Sequence, residues 1–329
     1  MALDRPAVDP HDHGVSLYDD YEDVLEVVGS FLVEGLLADE AVLVIASPDH
    51  RDAFDLAIGT HVDLERARAE HRYRSLDAVE TLASFRVAGR PDRDRFDRVV
   101  GEVVEGAAAG GRRVRAFGEM VAILWDAGDV WGAIELESMW NRIAQERRIS
   151  LHCAYPMTSL RRSGDLRAVH AVCQQHSMVT APMSYRTDGQ DSPELRARGC
   201  SELFIADPLA VRAVRRFVVG ALGDAGEEVA AGDAAVVASE LAANVIRHVG
   251  SPFRVTVTRG DRAITVAVED LSPAEPVLLD VGPDSIGGRG MMIVDALCSA
   301  WGTDVGPAGK VVWAELVRPQ AITTSPTRS

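Results

Sequence analysis

The sequence is short of positive charge. Its 34 Lys and Arg residues stand against 50 Asp and Glu, a formal net charge of −16. Tracking a phosphate backbone needs basic patches, so direct binding to nucleic acid is not expected. Long apolar runs are also missing: none reaches the roughly 18 residues that span a bilayer, so no membrane partner is expected. The opening MALDRPAVDPHDHG has neither a basic n-region nor an apolar h-region. No signal peptide is therefore expected, and the expected location is cytoplasmic. The cysteines are Cys153, Cys173, Cys200 and Cys298, with no CxxC among them. They are expected to be plain thiols rather than a disulfide framework. There is no internal repeat and no GxxxxGK[ST] phosphate loop.

What is present is an ordinary globular composition, 47% hydrophobic and 26% charged, in 329 residues, enough for two domains. The patterning falls into two blocks, 13–180 and 201–318. Between them, 181–200 is expected to be a linker, because MSYRTDGQDSPELRARGC (183–200) is polar and carries Gly and Pro. Residues 1–12 and the tail 319–329 are polar or Pro-rich, lack periodicity and are expected to be disordered.

The first block alternates helical and strand patterns. YEDVLEVVGSFLVEGLL has helical spacing, AVLVIAS (41–47) reads as a buried strand, and RRVRAFGEM (112–120) and RISLHCAYP (148–156) as two more. DVWGAIELESMWNRIAQE (129–146) is a long amphipathic helix between the last two. Such alternation implies an α/β domain with a largely parallel sheet. The second block has another order. A strand at ELFIAD (202–207) precedes a helix over 208–222, with Asp207 as N-cap and Pro208 in its first turn. Then come a helix (233–249), a hairpin FRVTVTRGDRAITVAVED (253–270), a helix GMMIVDALCSAWG (290–302) and a strand KVVWAELV (310–317). This order implies an α+β sandwich, one mixed sheet with helices on one face.

Three stretches of the second block carry chemistry. In ASELAANVIRHV, Glu240 and Asn244 lie one turn apart on one helical face. A carboxamide offers a neutral oxygen to a hydrated divalent metal, and a carboxylate can deprotonate a nucleophile. A solvated polar face would look the same. In AITVAVED, period two puts Asp270 at the end of the apolar face of Ile264, Val266 and Val268. A buried carboxylate needs a donor, and the exocyclic amine of adenine is one, although a turn-forming Asp is an alternative. In SIGGRGMMIVDAL, glycines precede a helix, where free backbone amides bind anions.

In this order, with the final GKVVW strand, the three resemble the GHKL ATP-binding superfamily, and more narrowly the anti-sigma regulatory factor/serine-protein kinase family. FIADPLAVRAVRRFV, SELAANVIRHV, VEDLSP, GGRGMMIVDAL and AGKVVWAEL carry the likeness over about 201–318. The resemblance implies a two-layer Bergerat ATP-binding fold. It makes Glu240 the general base, gives Asn244 the Mg²⁺ that bridges the ATP phosphates, and has Asp270 accept the adenine amine. Gly288 and Gly290 would flank the phosphates at a mobile lid, with Arg289 adding charge, and Arg247 and His248 would lie nearby. The family phosphorylates a serine or threonine on a small anti-anti-sigma (STAS) partner, and the unphosphorylated partner competes with a sigma factor. Family members often dimerise, so a homodimer is an expectation. The sequence departs from the wider pattern in two places. Leu-Ser-Pro follows Asp270, and Lys310 stands where relatives often carry threonine. Lys310 is then either a phosphate or lid contact or a solvated lysine at a strand end. A non-catalytic ATP-dependent switch that holds a sigma factor would keep the same site.

HGVSLYDDYEDVLEVVGSFLVEGLLADEAVLVIASPDHR, FGEMVAILWDAG, AIELESMWNRI and LHCAYPM resemble the MEDS sensory domain. That domain occurs in regulators of methanogens and methylotrophs and beside kinases. The likeness implies a RecA-like α/β fold without a P-loop and a small-molecule ligand. The candidate sensing residues are His13, Tyr18, Glu119, Cys153, Tyr155 and His176, because ligands of open α/β sheets bind at strand ends. HAVCQQH (170–176) sets His170, Cys173 and His176 in one helical arc. With His152 or Cys153 it could bind a metal or haem; surface histidines and a buried thiol are the plainer alternative.

Overall fold

The computed structural model describes residues 12–147, 149–186, 199–223, 228–260, 262–276 and 289–318. The expected disordered tail, most of the expected linker, and Gly287 and Gly288 lie outside the described residues. The chain divides into two compact units, one ending at Met183 and the other beginning at Ser184.

The first unit runs β1 (His13–Tyr18), α1 (Tyr21–Leu37), β2 (Ala41–Ala46), α2 (Pro48–Gly59), α3 (Leu64–Ala69), β3 (Tyr73–Asp77) and α4 (Ala78–Ser84). A short ribbon, β4 (Arg86–Val87) and β5 (Arg90–Pro91), leads to α5 (Arg93–Ala107), β6 (Val114–Gly118), α6 (Met120–Asp126) and α7 (Val130–Arg147). It closes with β7 (Ile149–Pro156), α8 (Met157–Ser163), α9 (Leu166–Gln175) and β8 (Met178–Thr180). Six strands form a parallel sheet in the order β3-β2-β6-β7-β1-β8. A parallel sheet is covered on both faces, which is why AVLVIA is buried at every position. Part of the acid surplus caps helices: Asp20, Asp63, Asp77, Asp92 and Asp165 each accept a first-turn N–H. Between β1 and α1 the chain passes Asp19 and Asp20, where a phosphate loop would carry glycine and lysine.

The second unit runs β9 (Gly199–Phe204), α10 (Ala210–Leu222), α11 (Glu228–His248), β10 (Phe253–Arg259), β11 (Ala263–Asp270), α12 (Gly290–Leu297), β12 (Ala300–Gly306) and β13 (Gly309–Val317). The strand order is β12-β13-β11-β10-β9. Every pairing is antiparallel, so the expected mixed sheet is corrected to an antiparallel one. The apolar face of β11 alternates as expected, with Ile264, Val266, Val268 and Asp270 all buried. α10 starts two residues later than expected, with Leu209 rather than Asp207 in the N-cap position; Asp207 Oδ1 accepts from the Leu209 N–H at 2.7 Å in the turn before it.

The helix expected over 290–302 is shorter in the structure. The helix ends at Leu297, and Ala300–Gly306 is an edge strand. Its residues are exposed or half-buried, so no apolar alternation marked it. Trp301 folds back, its Nε1 donating to Asp295 at 2.9 Å. Tyr185, from the expected linker, is buried in the second unit, its hydroxyl accepting from the Ile205 N–H at 3.2 Å.

Gly309, which opens β13 after the turn from β12, has φ 143°, and a Cβ there would lie 1.9 Å from the Asp270 carbonyl oxygen. The obstacle is backbone and cannot rotate away. Gly309→Ala should therefore lower stability in urea by about 2–4 kcal/mol. At Gly306 the nearest atom to an added Cβ is 3.9 Å away, and Gly306→Ala should change stability by less than about 1 kcal/mol.

Candidate functional site

α11 is alanine-rich and packs its Val237, Leu241 and Val245 stripe inward. Among the described residues, the stretch Val229–His248 is the one helix long and apolar enough to cross a membrane. It is instead the central helix of this unit, packed on α10, α12 and β11. Glu240 and Asn244, one turn apart, are half-buried on its edge. Arg247 Nη2 donates to Asn244 Oδ1 at 3.3 Å. Gly290 opens α12 against this face: a Cβ there would meet Glu240 Oε2 at 2.8 Å and Asn244 Oδ1 at 3.7 Å. The bare glycine lets the helix head approach both side chains.

Beside this contact lies a cavity of about 400 Å³, a size suited to a small ligand. Leu241, Val245, Val268, Met291 and Val312 form its apolar wall, and Asn244, Asp270 and Lys310 its polar groups. Asp270 is 2% exposed. Its Oδ1 accepts from the Ser272 N–H at 2.7 Å, and Lys310 Nζ donates to Oδ1 at 2.9 Å and contacts Oδ2 at 2.8 Å. Lys310 is the only lysine in the chain. It is not a solvated strand-end residue, since it is 7% exposed, and its ammonium is held by Asp270. Asn244, Asp270, Gly290 and Lys310 thus share one cavity, with Glu240 against Gly290. Arg289 precedes α12 and is exposed, and Gly288 lies outside the described residues.

In the first unit the six expected sensing residues do not make one site. His13, Cys153, Tyr155 and His176 gather in the buried interior around Glu137 of α7. Tyr18 and Glu119 sit at the carboxyl ends of β1 and β6. There Glu119 accepts from Tyr21 at 2.8 Å, from His50 at 2.6 Å and from the Ser47 N–H at 2.9 Å. Tyr21 and His50 stack at 3.4 Å. Burial, then the nearby Glu119 charge, raises the Tyr18 and Tyr21 hydroxyls well above their ordinary range. His170 and Cys173 stay apart from the Glu137 group, and His152 bonds to Ser16 instead.

Glu137 was missed in the sequence. The signal was a carboxylate on the buried stripe of α7, in step with Ala133, Trp140 and Ala144. Burial would push its carboxyl up, but His176 and then His13 and Tyr155 hold it down at about 2. Burial opposes the charged form of His176, yet Glu137 raises its value; in His13 burial dominates and lowers it to about 4. Burial, then Glu137, pushes the Cys153 thiol well up.

Fold and site together define a chain of one α/β unit and one α+β unit, the second with a cavity that a small ligand would fit. The MEDS family, the methanogen/methylotroph, DcmR sensory domain, matches residues 12–176. The histidine kinase-like ATPase domain matches residues 204–316. The first match covers half of the chain, which therefore belongs to the MEDS family, joined here to a kinase-like ATPase domain that binds ATP. No curated protein matches the chain.

Lys310→Met leaves Asp270 a buried carboxylate without its cation. It should cost about 3–5 kcal/mol in denaturant melts. Adding Asp270→Asn should restore a large part of that loss, and a double-mutant cycle showing no coupling would contradict the pairing.

Proposed function

We propose that the second unit is an ATP-dependent serine/threonine protein kinase that acts on an anti-anti-sigma (STAS) partner and also serves as an anti-sigma factor. The first unit would control it by binding a small molecule. The observation that carries this reading is Glu240 and Asn244, one turn apart on α11 and facing the head of α12, beside the cavity that ends on Asp270. The residues fit a nucleotide. Apolar walls suit a base, Asp270 keeps acceptor capacity beyond its Lys310 and Ser272 bonds, and the head of α12 suits phosphate. Asn244 would hold Mg²⁺ through its carboxamide oxygen. ATP with Mg²⁺, when bound, supplies the transferable phosphoryl group. Glu240 is set to take the proton from the partner's hydroxyl, so catalysis would rest on positioning and charge neutralisation. In the first unit, the Glu119 group at the strand ends is the place for the small-molecule ligand.

Calorimetric titration with ATP should show binding whose Mg²⁺ dependence Asn244→Ala removes. Glu240→Ala should keep ATP binding and slow phosphotransfer by about 10²–10⁴-fold. Wild type that binds ATP but never phosphorylates a confirmed partner would leave the non-catalytic sigma-binding switch. Folded wild type that binds no nucleotide would sink both readings. Because Lys310 is the chain's only lysine, an amine-directed ATP reagent should modify one internal peptide, and excess ATP should protect it.

A further inference from the structure

Four side chains from separate segments of the first unit converge out of reach of water. His13 opens β1, Glu137 lies on α7, Cys153 on β7, and His176 follows α9. Their potential ligand atoms all lie within 4.8 Å of one another. Glu137 Oε2 is 3.4 Å from His13 Nε2, 3.4 Å from His176 Nε2 and 3.5 Å from Cys153 Sγ. His13 Nε2 and Cys153 Sγ are 3.3 Å apart.

The surrounding hydrogen bonds fix which atoms face inward. The Val172 carbonyl can only accept, so His176 Nδ1 donates to it at 2.7 Å, and in the neutral ring, the form that ligates a metal, Nε2 faces inward with its lone pair. That Nε2 is buried and makes no hydrogen bond. Asn141 Nδ2 donates to the Gln175 backbone and side-chain oxygens, so Asn141 Oδ1 accepts from His13 Nδ1 at 2.8 Å. His13 Nε2 therefore also points a lone pair inward. The Tyr155 hydroxyl donates to Glu137 Oε1 at 2.8 Å, leaving Oε2 for the centre. With both rings neutral, two imidazole lone pairs and a carboxylate oxygen face one another in a low dielectric, a place that either a proton on His176 Nε2 or a metal ion fills.

We infer that His13, Glu137, Cys153 and His176 form a tetrahedral binding site for a divalent transition-metal ion, Zn²⁺ fitting best. Bonds of about 2.0–2.3 Å from a central ion give tetrahedral edges of about 3.3–3.8 Å, the range of the four separations above. A ring N–H held by a carbonyl or amide oxygen is the outer-shell support of metal-ligating histidines. Thiolate and imidazole ligands select against Mg²⁺ and Ca²⁺, which take oxygen. One thiolate and one carboxylate neutralise the ion, and the Cys153 thiol proton leaves to solvent as the metal–sulfur bond forms. With four protein ligands no position stays open, so the ion is structural rather than catalytic. It would tie the start of β1 to the residue that follows α9.

The test uses the full chain, purified metal-free and without nucleotide. One equivalent of Co²⁺ should give the visible ligand-field bands of a tetrahedral ion and a thiolate-to-cobalt charge-transfer band, and Zn²⁺ should bleach both. Zn²⁺ should also raise Tm, and a chelator should reverse the rise. Cys153→Ser should remove the charge-transfer band, and His176→Ala should lower affinity at least tenfold. Cys173→Ser and His170→Ala should change neither band nor stoichiometry. Folded wild type that takes up no Co²⁺, or Co²⁺ bound without the thiolate band, overturns the site. So does a Cys153→Ser protein that keeps the band. If Cys153→Ser does not fold, the wild-type spectrum and the Zn²⁺ shift in Tm still decide.

Discussion

The buried pairing of Asp270 with Lys310 is the constraint on which the second unit depends. The two residues sit opposite each other in the β11–β13 ladder. The same register sets Val268 against Val312, Val266 against Ala314 and Ile264 against Leu316, all on the face that α11 covers. A slip of one residue would turn the valines to solvent and leave the charges without each other. A buried ion pair adds little net stability over an apolar pair of the same shape. The apolar ladder therefore supplies the energy, and the pair selects the register. That register also brings Gly309, the first residue of β13, against the Asp270 backbone, where no side chain fits. The cavity beside Asn244 and Asp270 is the space left between this end of the sheet and α11.

Much of this was legible because it obeys simple periods. Alternation in AITVAVED placed Asp270 on the buried face, and helical spacing placed Glu240 beside Asn244. The unbroken apolar run of AVLVIA marked a parallel sheet. What stayed hidden has no period. β12 is an edge strand whose side chains need not alternate, so the helix before it was read too far. The fate of Lys310 could not be read either, because a lysine at a strand start looks solvated until its cross-strand partner is known. In the first unit, His13 and His176 are 163 positions apart, and Glu137 sits in a helix that reads as amphipathic. Only the tertiary fold joins them.

The first unit's two polar groups differ in what could reach them. The Glu137 group is sealed: Glu137 is fully buried, and its partners His13, Cys153 and His176 are nearly so. Nothing larger than an ion can enter without opening the core, so this group suits a fixed structural element. The Glu119 group lies at the carboxyl ends of the strands, and the His50 side chain there is one third exposed. Its hydrogen bonds hold Tyr21, the first residue of α1, and Ser47, the residue before α2. A molecule that competed for the Glu119 carboxylate would release the starts of two helices at once. A ligand shifts a protein only as far as its affinities for two conformations differ. A group that anchors two helix starts through one carboxylate can supply that difference.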